Sequence, residues 1–146
     1  MRPMYRNILV PVDLDQPASW SEAISTASSL AKCFSAKITI CAVVSDFEAI
    51  KHGEWLPISV EQLMFDARAR LEGLVAAASH DQSYDVEVAA GTIAGGILEI
   101  AERISADLIV LVSHEPAARD YLLAANAVRV ARRAPCSVLI VRHGRA

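Results

Sequence analysis

Residues 108–142, LIVLVSHEPAARDYLLAANAVRVARRAPCSVLIVR, decide how this chain folds. Asp107 to Val112 is apolar after its first residue, as in a strand covered on both faces. A polar loop follows. Tyr121 to Ala134 has a helical pattern and stops near Pro135, whose ring and missing N–H end helices. Ser137 to Arg142 is a second apolar strand. Two short strands joined through a helix run parallel, with a right-handed crossover. The loop between such a strand and its helix is where α/β proteins hold phosphates, on the free N–H groups of the helix start. Those loops are usually rich in glycine, and this one contains none.

The same alternation runs back to the N-terminus. Asn7 to Asp13 is an apolar run closed by an acid. Trp20, Ala23, Ile24, Ala27, Leu30, Ala31 and Phe34 recur at helical spacing, with Ser19 and Glu22 as a capping box or Asp15 and Pro17 as an earlier start. Ala36 to Val44 is a second buried strand, and Ser45 to Pro57 a long loop. Ser59 to Ala78 is helical, with Val60, Leu63, Met64, Ala67, Leu71, Leu74, Val75 and Ala78 inward. Tyr84 to Ala90 alternates as a half-exposed strand does. Gly91 to Gly96 is a turn into a short helix carrying Ile97, Leu98, Ala101 and Ile104. The order βαβαβαβαβ predicts one domain, residues 1–146, built on a doubly wound parallel sheet. Ligands of such sheets bind beyond the carboxyl ends of the strands, at the switch point in strand order. Those ends are Pro11-Val12-Asp13, Val43-Val44, Ala90-Gly91, Ser113-His114 and Arg142.

Composition narrows the function. A length of 146 residues, 53% of them apolar, allows a full core without disulfide or metal staples. A net charge of −3, with no basic face, argues against nucleic-acid binding. No apolar run reaches the ~18 residues needed to span a bilayer, and the N-terminus lacks a signal-peptide pattern. Cys33, Cys41 and Cys136 have no CxxC spacing and suit reduced thiols in apolar surroundings, so a cytoplasmic location is expected. The histidines, His52, His80, His114 and His143, are not paired at ligand spacing, so no metal is expected. GxSxG, P-loop and GxGxxG patterns are absent. Asp13 and Asp15 suggest a phospho-receiver pocket, but Ala90-Gly91 and Arg142 stand where its further acid and lysine should be. Trp20 and Trp55 are expected to pack rather than to stack on a ligand. No acid–base or nucleophile–base couple is visible, and an enzyme is not expected.

Together, RNILVPVDLDQPASWSEAI, AKITICAVV, GTIAGGILEIAERISADLIVLVSH and NAVRVARRAPCSVLIVR resemble the universal stress protein (UspA-type) family over essentially the whole chain. The resemblance implies a five-stranded sheet in the order 3-2-1-4-5 with helices on both faces. Asp13 then comes beside Ser113 and His114. It also implies an adenine-nucleotide site, AMP or ATP, made from Pro11, Val12, Asp13, Val43, Leu111, Val112, Ser113, His114, Ala124, Ala125 and Asn126. Asp13 would take the adenine with backbone groups of Val12 and Val43. The plain alternative is a strand-end acid that caps the first helix.

The phosphate part departs from the family. Its ATP-binding pattern is Gly, two residues, Gly, about nine residues, then Gly-Ser. Here those positions hold Val112, Glu115 and, after a loop one residue shorter, Ala124-Ala125. Val112 replaces a glycine that permits close backbone approach. Glu115 brings a carboxylate near the phosphates; two like charges ~5 Å apart at an effective dielectric of ~20 repel by roughly 3 kcal/mol. Ala125 lacks the serine hydroxyl, whose bond to a charged group is worth about 1.5–3 kcal/mol. Ser113, His114, Pro116, Tyr121, Leu122, Leu123, Asn126 and Ala127 also match a short-loop subgroup of the family. Glu115 and Ala124-Ala125 depart from that too. The helix N-terminus remains an anion site, with Arg119 and His114 nearby.

Three readings stay open. The first is a stress-response module with a weak adenine-nucleotide pocket, better suited to AMP than to ATP. The second is a nucleotide-free homodimeric interaction module with a vestigial pocket. The third is a weak ATPase, disfavoured because no base or Mg²⁺-binding set accompanies the pocket. The fifth strand, with Val138, Leu139, Ile140 and Val141, is an unprotected apolar edge. It is expected to pair with the same strand of a second copy, as the family commonly does, with an unidentified protein as a further partner.

Overall fold

The computed structural model describes residues 3–15, 20–45, 59–78, 82–113 and 121–142; for residue 113 and for 121–125 it describes the backbone alone. The elements are β1 (Asn7–Pro11), α1 (Ser21–Phe34), β2 (Lys37–Ser45), α2 (Val60–Ala78), β3 (Tyr84–Gly91), α3 (Ile93–Arg103), β4 (Leu108–Ser113), α4 (Tyr121–Arg133) and β5 (Ser137–Arg142). The strands form one sheet in the order β3-β2-β1-β4-β5. Every pairing is parallel.

Alternate residues of each strand serve two cores. Ile8, Val10, Ile38, Ile40, Leu108, Val110 and Val112 face α1 and α2, meeting Ala27, Ala31, Leu71 and Val75. Leu9, Cys41, Ala89, Ile109 and Leu111 face α3 and α4, meeting Ile97, Ile100 and Val130. Being covered twice is why β1, β2 and β4 read as unbroken apolar runs. Trp20 is buried in the first core, as expected of a packing residue. Its indole Nε1–H finds no acceptor among the described residues.

Several boundaries differ from expectation. Ala36 precedes β2: its N–H donates to the Ala31 carbonyl, closing α1 behind Ser35, which adopts the left-handed conformation at φ 56°. α1 begins at Ser21 with Trp20 at its N-cap and no side-chain cap bond. Ser19 and Pro17 lie outside the described residues, as does the expected loop over 46–57 beyond Ser45. Val60 is 47% exposed rather than inward. Its spacing fits the buried face, but the first turn of α2 extends past the sheet contacts made by Ala67, Leu71 and Val75. Gly95 and Gly96 belong to α3 itself, not to a turn before it. Thr92 supplies the cap, its Oγ1 accepting the Gly95 N–H at 3.1 Å. Cys33 is exposed, unlike the other two cysteines.

Candidate functional site

The sheet opens where the strand order reverses. β1 and β4 pair only at Ile8–Leu108 and Leu9–Ile109. Beyond that point β1 stays with β2 as far as Pro11–Cys41, and β4 stays with β5 as far as Ser113–Arg142. The two inner strands share no further ladder pair there, and a doubly wound parallel sheet takes its ligand in the crevice beyond such carboxyl ends.

Asp13 stands at the β1 side of this crevice. The Val12 N–H donates to the Cys41 carbonyl at 2.8 Å, carrying the chain one residue past the strand. Asp13 Oδ1 then accepts the Asp15 N–H at 2.9 Å. This is an Asx-type turn, in which the side chain stands in for a backbone acceptor. Asp13 therefore closes its own turn; the residues between Asp15 and Trp20, on which the capping alternative depends, lie outside the described residues. Arg70 reaches over from α2, donating to the Leu14 carbonyl at 3.0 Å and lying 3.6 Å from Asp15 Oδ1. Both charges are exposed, so the pair adds no more than ~1 kcal/mol.

The residues expected to form the site stand at strand ends, with side chains pointing in different directions. Pro11 and Val12 are half-buried at the end of β1, and Val43 is half-buried on β2. Leu111 and Val112 are each 4% exposed and point into opposite cores. Their side chains are taken up by the cores, so of these two residues the main chain alone is left to face a ligand beyond the strand ends. The backbone of Ser113 ends β4, and Ala124-Ala125 fall in the first turns of α4. Asn126 is buried on the same helix, at 7% exposed. His114, Glu115 and Arg119 lie outside the described residues, as does Trp55.

One contact escaped sequence reasoning. A Cβ built on Gly96 would fall 2.6 Å from Val43 Cγ1, so α3 packs directly on the strand that carries Val43. Tandem Gly95-Gly96 was the available signal, and a close approach was its correct meaning.

The remaining chemistry is sparse. Burial pushes the Cys41 thiol far above its ordinary range, and the Glu87 carboxylate adds to that; burial, then Asp107, raises Cys136. Both are poor nucleophiles in consequence. No group of His, Cys, Asp and Glu among the described residues could hold a metal ion. A depression of about 390 Å³ lies at the opposite, amino ends of the strands, lined by Asn7, Lys37, Thr39, Asp85, Val86, Glu87 and Ile104. Its charges are already matched, Lys37 to Asp85 at 3.2 Å and Glu87 to Arg103 at 2.8 Å. It also lies at the wrong end of a parallel sheet for a ligand. None of the described helices is long and apolar enough to cross a membrane.

The profile of the universal stress protein family matches residues 4–142. The chain belongs to the universal stress protein family. Among curated relatives it is 30% identical over 144 residues to universal stress protein A homolog 1 of Coxiella burnetii, covering 94% of this chain and 96% of that one. It is 28% identical over 151 residues to universal stress protein G of Salmonella typhimurium, covering 95% and 100%. Two solved universal stress proteins share the fold. One, in complex with cAMP, has a TM-score of 0.59 and 22% identity, covering 96% of this chain and 98% of that one. The other, from Archaeoglobus fulgidus in complex with dAMP, has a TM-score of 0.61 and 15% identity, covering 94% and 98%. The strand order expected from the family resemblance is the order observed.

Proposed function

We propose that this universal stress protein is a non-catalytic, cytoplasmic regulatory module that holds an adenine mononucleotide in the β1–β4 crevice. The end of the β1–β4 ladder at Leu9 and Ile109 supports this reading, because a doubly wound parallel sheet takes its ligand beyond the strand ends where the order reverses. Complexes of two universal stress proteins with cAMP and dAMP support a mononucleotide. The N-terminus of α4 supplies N–H donors for one phosphate. The glycines and serine that would wrap a triphosphate are replaced, so AMP is favoured over ATP. Among the described residues no side chain near these strand ends forms a base–nucleophile couple, which supports a non-catalytic role.

Asp13 has one oxygen committed to its turn, and the second, with no bond among the described residues, would accept the adenine amino group. Asp13→Ala is expected to weaken AMP binding about tenfold, roughly 1.4 kcal/mol. Calorimetry measures this, and no binding of AMP by the unaltered protein at millimolar concentration would sink the assignment.

An exposed edge favours a second element of function, homodimerisation through β5. Val138 and Ile140 pack toward the α3–α4 core, whereas Leu139 remains 37% exposed beside an unpaired strand edge. Antiparallel pairing of two β5 edges would satisfy both and bury Leu139. Leu139→Lys is thus a better probe than Ile140→Lys, which would also injure the core. It should move the protein from dimer to monomer in sedimentation velocity. A wild-type protein that is monomeric at tens of micromolar would refute the dimer.

A further inference from the structure

Charge is divided along this chain. All 17 acidic residues precede Tyr121, and from Tyr121 to Arg142 arginine is the only charged residue. The rest of the chain is therefore more negative than the −3 of the whole, and that net figure conceals a cationic end. Folding gathers this end onto one flank, so the absence of a basic face expected from the net charge does not hold at α4. The helix turns Asn126, Ala127 and Val130 inward and leaves Val128, Arg129, Arg132 and Arg133 exposed. Arg129 and Arg133 stand about 6 Å apart along the axis, with Arg132 between them. Arg142, at the end of β5, is exposed too. It alternates with Val138 and Ile140, which places it on the α4 side of the sheet.

Other arginines are engaged within the chain. Arg68, Arg70 and Arg103 each lie within 4.0 Å of a carboxylate. Among the described residues, Arg129, Arg132, Arg133 and Arg142 have no such partner. Arg132 and Arg133 suit the negative end of the helix dipole. Arg129 precedes that last turn, and like charges three and four residues apart on a helix repel. Helix stability alone therefore does not favour an arginine at 129. Val128, 58% exposed, stands one turn before Arg132 and gives the same surface an apolar spot.

We propose that the outer face of α4 docks an acidic segment of another protein, with carboxylates on Arg129, Arg132 and Arg133 and an apolar side chain over Val128. A guanidinium takes a carboxylate in a two-bond fork, which fixes direction as well as supplying attraction. The acid-rich remainder of the chain decides against a long polyanion. A nucleic acid spreading from α4 would run into that negative field, whereas a short acidic segment stays within the flank. The face is complete in one chain and needs neither the nucleotide nor the β5 pair.

Fluorescence anisotropy of a labelled peptide rich in Glu and Leu, titrated with the intact protein, tests this. The peptide should bind, and more weakly as salt is raised. Arg132→Glu should weaken binding at least ~10-fold, and Arg132→Gln by less. Arg132 is exposed, so neither change touches the core. Lys32→Glu makes the same change of net charge on the exposed side of α1 and should shift binding less than ~2-fold. Equal losses from Lys32→Glu and Arg132→Glu would reduce the effect to overall charge and overturn the proposal. So would the absence of peptide binding at about 100 μM protein. Tighter binding of a single-stranded DNA of equal charge would assign the face to nucleic acid instead, and would overturn it as well.

Discussion

Val112→Gly is expected to destabilise the fold by about 3–4 kcal/mol, read as a lower urea midpoint. Val112 is 4% exposed and packs with Val110 and Leu108 against α1. Removing its side chain forfeits about 1.5–3 kcal/mol of burial and leaves a small cavity. Glycine within a strand adds about 0.5–1 kcal/mol of lost chain entropy. The family's nucleotide-binding pattern has glycine at this position, so the simplest restoration of an ATP loop would weaken this protein before improving its grip. A loss below ~1 kcal/mol would mean that the core closes over the vacancy, against the usual behaviour of cavities.

Asp107→Ala should lower stability by about 2–3 kcal/mol. The Asp107 carboxylate accepts the Arg6 N–H at 2.7 Å and the Asn7 N–H at 3.0 Å, and its own N–H donates to the Asn7 carbonyl at 3.0 Å. Three bonds therefore clasp the start of β1 to the start of β4, close to the two residue pairs that join those strands. Bonds to a charged group are worth about 1.5–3 kcal/mol each, reduced here because the Arg6 bond is exposed. Asp107→Asn keeps one acceptor and should lose about half as much. Thermal unfolding distinguishes the two; equal losses would show that the clasp matters through packing instead.

The fold was legible because β1, β2 and β4 are covered on both faces. Ile8-Leu9-Val10 and Leu108 to Val112 leave no polar residue to suggest another state, and the intervening helices force parallel strands. The same double burial hid the site's detail. In a strand with two apolar faces, Leu111 and Val112 look alike, although they belong to opposite cores. Parity could be set only by packing against α1 and α4. Val60 was misjudged because helical spacing carries no information about where the sheet beneath ends. Asp13 was correctly singled out as an acid closing an apolar run. That it would bind Asp15 depends on a local turn, which neither spacing nor family resemblance specifies. Gly96 shows the converse: the residue was visible, but its fit against Val43 needed coordinates.

The narrow joint between β1 and β4 has a mechanical consequence. Two residue pairs and the Asp107 clasp join a three-strand leaf, β3-β2-β1, to a two-strand leaf, β4-β5. Elsewhere in the sheet the ladders run for five to eight pairs. The sheet thus resembles a book with a short spine, its two leaves held together across that line mainly by the helices packed on either face. A molecule gripping Val12 on one leaf and Ser113 on the other would act as a rivet. It would add, at the carboxyl ends, a joint between the leaves that the ladder itself supplies only at their amino ends.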